Sequence, residues 1–228
     1  MSLFHPITIN CPQCREPNEF QANASVNADR RPDLRQAILD GSFQRQACTK
    51  CSTSFRLDPE LNYLDVGRNQ WLAVFPVSRL GDWESLEKHA QEMFDVAYGS
   101  QASATAREIG EDLKPQLVFG WAALREKLIC DQSLLDDVSL ELVKITIMRN
   151  MQDVPLSDQT ELRLIDVKDG HLEMAWIMAL TERLVERMGI PMDLYQEIHA
   201  DTESWKPLRD QLSSGIFVDV QRLLIGAA

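Results

Sequence analysis

The residues with clear chemical potential are two cysteine pairs, Cys11-Pro12-Gln13-Cys14 and Cys48-Thr49-Lys50-Cys51, with thirty-three residues between them. A gap of two residues lets one tight turn aim both sulfurs at a single ion. Two such turns supply the closed tetrahedron of a structural zinc site. Each thiol loses its proton on binding, so the ion both ionises Cys11, Cys14, Cys48 and Cys51 and ties two distant stretches of chain together. The same four sulfurs suit iron equally well. Two disulfides are a further reading, disfavoured in a reducing cytoplasm. A thiol-disulfide redox site at Cys11 and Cys14 needs the first cysteine at a helix start to lower its pKa. Here Cys14 is followed by Arg15-Glu16-Pro17-Asn18, with a proline and no helical period. The fifth cysteine, Cys130, ends an apolar helical stretch and reads as a small buried hydrophobe without a role.

The elements that must position these sulfurs are short strands. Phe4–Thr8, Glu19–Val26, Phe43–Ala47, Ser54–Leu57, Leu61–Val66 and Gln70–Val77 carry β-type composition, the last two joined across Gly67, Arg68 and Asn69. One short helix interrupts them, from Pro32 to a glycine stop at Gly41. Past Gly81 the period changes. Trp83, Leu86, Ala90, Met93, Phe94 and Ala97 mark a helix ending at Gly99, and Gly99–Ala106 reads as a loop. Leu117, Trp121, Leu124 and Leu128 mark a second helix, and Leu135, Val138, Leu142 and Ile145 a third, opened by a capping box at Ser133–Asp136.

Glu161–Val167 and His171–Ile177 flank Asp169-Gly170, a dipeptide suited to a tight hairpin turn. Centring the turn there pairs Val167 with Leu172, Ile165 with Met174 and Arg163 with Trp176, on one buried face. Glu182–Met188 reads as helical, Pro191 opens another helix, and an apolar tail runs from Ile216 to Ile225. The expected fold class is α+β. It comprises a β-rich zinc-ribbon-like module over residues 1–80 and an acidic, mainly helical α+β region over 81–228 that contains the hairpin.

Charge follows the same division. Residues 1–80 hold nine Lys/Arg against eight Asp/Glu, whereas 81–228 hold fourteen against twenty-seven. So acidic a region repels nucleic acid. Only Arg30, Arg31, Arg35 and Arg45 form a loose basic group. An acidic surface favours solubility or a basic protein partner. No apolar run approaches the roughly 18 residues of a membrane helix, and Met1–Asn10 lacks the pattern of a secretory signal, so a cytoplasmic location is expected.

The quartet, followed by Phe55-Arg56-Leu57 and by Trp71-Leu72-Ala73-Val74-Phe75-Pro76, resembles the CpXC domain family. The likeness runs from about Thr8 through Leu117-Val118-Phe119-Gly120 and Leu124-Arg125-Glu126-Lys127 to Leu135-Asp136-Asp137. It implies a zinc-binding module of bacterial and archaeal proteins and brings no activity or catalytic residue with it. Thr49 stands where many zinc knuckles carry proline, without loss of a ligand.

Nothing else forms a recognisable active site. The histidines at 5, 89, 171 and 199 make no H-E-x-x-H pair, and phosphate-binding glycine loops and nucleophile elbows are lacking. Asp136 and Asp137 diverge by about 100° on a helix and read as capping groups. Trp71, Trp83, Trp121, Trp176 and Trp205 read as core residues, with interface anchors as the alternative. The function expected is therefore a non-catalytic protein-interaction or adaptor module with a structural zinc site. The alternatives are a redox protein using Cys11 and Cys14, and a zinc-ribbon nucleic-acid binder.

Overall fold

The computed structural model describes residues 4–151 and 160–225 and is of mixed α+β class. Its first elements are two small antiparallel hairpins. One pairs β1 (Phe4–Asn10) with β2 (Pro17–Asn23), the other β4 (Arg45–Ala47) with β5 (Ser54–Arg56). Between them in the chain lie β3 (Ser25–Asn27) and helix α1 (Pro32–Leu39). Then come β6 (Leu61–Asp65), β7 (Gln70–Phe75), α2 (Trp83–Tyr98), α3 (Ala104–Asp112) and β8 (Lys114–Phe119).

Strands β3, β6, β7 and β8 form one sheet in that order, with β7 antiparallel to β6 and parallel to β8. All six residues of β7 are buried because both faces of this sheet are covered. Leu72 and Val74 face α1 and α4 (Gly120–Gln132). Trp71, Ala73 and Phe75 face α2, α3 and Phe217. Past residue 80 the chain continues with α2 and α3, and hydrogen bonding runs across that point, since β8 completes the sheet begun by β3, β6 and β7.

The remaining core packs α5 (Asp137–Asn150), α6 (Met192–Ala200) and α7 (Lys206–Leu212) on a second sheet, with α8 (Gln221–Leu224) beside α7. That sheet orders β11 (Leu184–Pro191), β10 (His171–Met178) and β9 (Thr160–Lys168). Helix α4 is buried on several sides because it lies between the two sheets. Trp121, Ala123, Leu124 and Leu128 join the first core, while Ala122 meets Ala175 and Ile177 of the second.

Several local expectations are corrected. Leu117 belongs to strand β8, not to the helix that follows. Gly120, at φ 83° and with no room for a Cβ beside Val77, turns the chain from strand into helix. Helix α3, capped by the hydroxyl of Ser103, begins inside the expected loop. Asp136 rather than Ser133 caps α5, accepting from the Ser139 amide at 2.8 Å, because Ser133 already ends α4. Glu182–Met188 is not helical. Most of it forms β11, which lies at the sheet edge against β10. In the hairpin Val167 faces Leu172, but a bulge leaves Ile165 unmatched, so Met174 faces Leu164 and Trp176 faces Leu162.

The bulge puts Arg163 opposite Ala175, on the side of α4, where a fully buried ionic network has formed. Lys144 Nζ donates to Glu126 at 2.6 Å and Glu141 at 2.7 Å, and Arg163 bonds Glu126, Glu161 and Asp219. Remaining carboxylate oxygens accept from the amides of Leu164 (2.6 Å) and Val220 (2.8 Å). Four carboxylates thus share two cations. Burial pushes Glu141 up to about 7 against the pull of Lys144. Burial also works to raise Asp219, but Arg163 and Lys144 outweigh it and hold that carboxyl down to about 2.

Removing one partner strands the other charges, so Lys144→Met is expected to cost about 3–5 kcal/mol in chemical denaturation. Because Glu141 is raised on folding, its contribution is complete below about pH 4.5 and is lost as pH rises through about 7. In Glu141→Gln, stability should therefore fall less between pH 4.5 and 7.5 than in the parent; an unchanged slope contradicts this assignment.

Candidate metal centre

Each cysteine pair occupies the loop of one small hairpin, and the two loops are built alike. Asn10 pairs with Pro17 across the first, and Ala47 with Ser54 across the second. In the first, the Cys11 amide donates to Glu16 O at 2.8 Å and the Arg15 amide to Cys11 O at 2.9 Å. In the second, the Cys48 amide donates to Thr53 O at 2.9 Å and the Ser52 amide to Cys48 O at 3.0 Å. Arg15 and Ser52, each directly after the second cysteine, both take φ 60°. A left-handed residue other than glycine costs about 1–2 kcal/mol. The turn bears that cost twice, and in each case it directs two sulfurs to one side.

All four Sγ atoms lie within 4.8 Å of one another. Contacts of 3.6 Å run between the loops, from Cys11 to Cys51 and from Cys14 to Cys48. Four sulfurs each 2.3 Å from a central ion stand about 3.8 Å apart at tetrahedral angles, whereas a disulfide holds its sulfurs at about 2.05 Å. The spacing fits the first arrangement. Cys11 and Cys48 are buried, and Cys14 and Cys51 are half-buried.

The polar groups around the sulfurs favour thiolates. Hydrogen bonds from the backbones of Cys51 and Lys50 and from the Asn18 side chain bring Cys48 down to about 6, against desolvation. The Thr53 hydroxyl, 3.3 Å from Cys51 Sγ, is the chief cause that lowers Cys51. At Cys14 the Glu16 backbone favours the thiolate, but desolvation and the sulfurs of Cys51, Cys48 and Cys11 outweigh it and push the thiol up to about 12. Four thiolates this close repel one another unless a cation lies between them. The quartet could hold a metal ion, and its chemistry suits a dication.

Asn18 on β2 is the residue that sequence reasoning missed. It is 2% exposed and bridges the loops. Its Nδ2 donates to Glu16 O at 2.7 Å and lies 3.6 Å from Cys48 Sγ, while its Oδ1 accepts from the Thr49 amide at 2.9 Å and hydroxyl at 3.1 Å. The available signal was a lone asparagine four residues after a C-x-x-C pair, too weak to assign. A second bridge, Lys50 to Glu16 at 2.8 Å, is exposed and contributes little.

The other residues singled out by sequence do not converge. Cys130 is buried in the second core, and burial raises its thiol well above the usual range. His199 lies 2.9 Å from the Ser139 hydroxyl and stacks on Tyr195, and His89 lies beside Phe75. Asp136 caps α5, and Asp137 pairs with Lys127 at 3.1 Å. Trp71, Trp121 and Trp176 are core residues, and Trp83 and Trp205 are half-buried. A second acidic group, Glu126, Glu141 and Asp219, is close enough to share a cation, but Lys144 and Arg163 already bond it.

Groups that orient metal ligands commonly carry about 10–100-fold of affinity. Asn18→Ala should therefore weaken metal binding by about that factor in a chelator competition, with the elements beyond residue 60 intact by circular dichroism. Unchanged affinity would make Asn18 a purely structural link.

The family model described as CpXC protein matches residues 9–144, more than half of the chain. No curated protein and no solved structure matches it. The matched span contains the four cysteines, Asn18, the first sheet from β3 to β8, helix α4 and most of α5. The chain belongs to the CpXC protein family.

Proposed function

We propose that Cys11, Cys14, Cys48 and Cys51 bind one zinc ion as a closed structural site, and that the protein is a non-catalytic protein-interaction or adaptor module. The observation that carries the metal assignment is the convergence of four sulfurs from two like-built turns at close to tetrahedral spacing. With four protein ligands no coordination position is left for substrate water, so the ion would supply cohesion rather than Lewis-acid chemistry. Binding energy of the order of 10–16 kcal/mol is then available to fold hairpins too small to be stable alone. In this reading residues 1–80 carry the metal clasp and residues 81–228 provide contact area. Free thiols suit a reducing compartment, the cytoplasm.

The alternatives have less support. Cys11 follows a strand and Cys14 precedes one, so neither thiol gains the helix dipole that activates a redox cysteine. The acidity of residues 81–228 opposes nucleic acid. No helix among the described residues is long and apolar enough to cross a membrane. A protein partner is favoured by strand β11, which lies at a sheet edge, and by the exposed side chains of Leu184 and Val185 on it and of Leu180 in the turn before it.

Elemental analysis with native mass spectrometry should find one zinc per chain. Cys11→Ser and Cys48→Ser should lose it and melt at lower temperature, as should the parent after chelation, whereas Cys130→Ala should keep it. Metal-free protein with an unaltered melting temperature, or a reversible Cys11–Cys14 disulfide, contradicts the proposal.

A further inference from the structure

Arg56 ends β5, five residues after Cys51, and leaves the cysteine hairpin for the body of the protein. Its side chain is 6% exposed. The guanidinium lies 4.0 Å over the Trp121 ring, Nε donates to Phe43 O at 2.7 Å, and one terminal nitrogen donates to Glu182 at 2.8 Å. The other oxygen of Glu182 accepts from Arg125 on α4. One carboxylate in the connection between β10 and β11 therefore joins the hairpin of Cys48 and Cys51, helix α4 and the second sheet.

This junction is poised rather than inert. Two guanidinium groups share a single carboxylate, and Arg56 Nη2 and Arg125 Nε are buried without hydrogen-bond partners. Glu182 itself takes φ 56°, an uncommon conformation for a residue with a side chain. Its amide donates to Met178 O at 2.8 Å, closing the turn that presents Leu180. Strands β4 and β5 have three residues each and bury little by themselves, so the loop between them adds to what the Phe43 and Trp121 contacts give Arg56.

We infer that metal occupancy of the cysteine quartet is coupled, through Arg56 and Glu182, to the β10–β11 connection, so that the loaded site fixes the turn that carries the exposed Leu180 and leads into Leu184 and Val185. The coupling rests on the metal assignment above and adds to it a direction of control. With the ion bound, the second hairpin is rigid and Arg56 holds Glu182. With the ion removed, Arg56 is released, Arg125 alone retains Glu182, and the connection opens more often. Metal availability would in this way regulate the order of a turn whose Glu182 lies 126 residues beyond Arg56 in the chain.

Hydrogen exchange of the full chain, zinc-loaded and stripped by chelator, tests this. Stripping should speed exchange over residues 45–56 and also over 178–184, with the centres of β9 and β10 unchanged. In loaded Glu182→Gln the 178–184 segment should exchange fast already, and stripping should add nothing there. Because coupling is reciprocal, Glu182→Gln should also bind zinc about 5-fold or more weakly in chelator competition, although it is no ligand. Arg125→Gln, which leaves Arg56–Glu182 intact, should retain parental affinity and guards against general loss of fold. One zinc per chain together with exchange at 178–184 that ignores the metal, or Glu182→Gln with parental zinc affinity, overturns the coupling and leaves the metal site standing. Failure to find a stoichiometric metal overturns both.

Discussion

The close approach of four sulfurs, which repel one another once ionised, is the constraint on which the N-terminal part of this protein depends. The turns at Cys11–Glu16 and Cys48–Thr53 accept a left-handed residue apiece, bring their sulfurs within 4.8 Å and surround them with donors that favour thiolates. The second hairpin, with strands of three residues, buries little, and desolvation together with the neighbouring sulfurs raises the Cys14 thiol. The dication proposed above would resolve the conflict and turn it into cohesion. Asn18, tying one loop to the other, then acts as the polar counterpart of the clasp.

The buried ionic network meets the same problem by another route. Glu126, Glu141, Glu161 and Asp219 come from four different parts of the chain and are as confined as the cysteines, yet here the cations are covalently part of the protein, Lys144 and Arg163. Its members join α4, α5, β9 and the segment before α8, the junction where the two sheets meet across α4. Such a network fixes orientation more than it adds stability. The cysteine quartet, proposed to depend on a ligand, and the ionic network are thus two anchors, and the Arg56–Glu182–Arg125 junction adds a third link.

Much of the site was legible because its signal is local. C-x-x-C places two sulfurs in one turn whatever the rest of the chain does, and the flanking β composition identified the hairpins that carry them. Helices α1 and α2 were equally clear from proline, period and glycine. The misreadings arose where tertiary context overrides pattern. Leu117 stands four residues before Trp121 and seven before Leu124, a helical spacing that runs across Gly120 only by coincidence, since the strand is fixed by its pairing with β7. Edge strand β11 has one covered side and no regular alternation, so Glu182–Met188 could pass for an exposed helix. The bulge at Ile165 has no sequence mark, and it alone decides that Arg163 points to α4. Glu141 and Lys144 look like an ordinary surface pair three residues apart, and only long-range packing shows them to be enclosed.

X-ray absorption at the zinc edge on the purified full chain tests the central claim most directly. The account predicts a single zinc environment of four sulfurs at about 2.3 Å with no oxygen or nitrogen ligand. A first shell containing nitrogen or oxygen, or a chain that binds no metal while all four cysteines remain reduced, would contradict it.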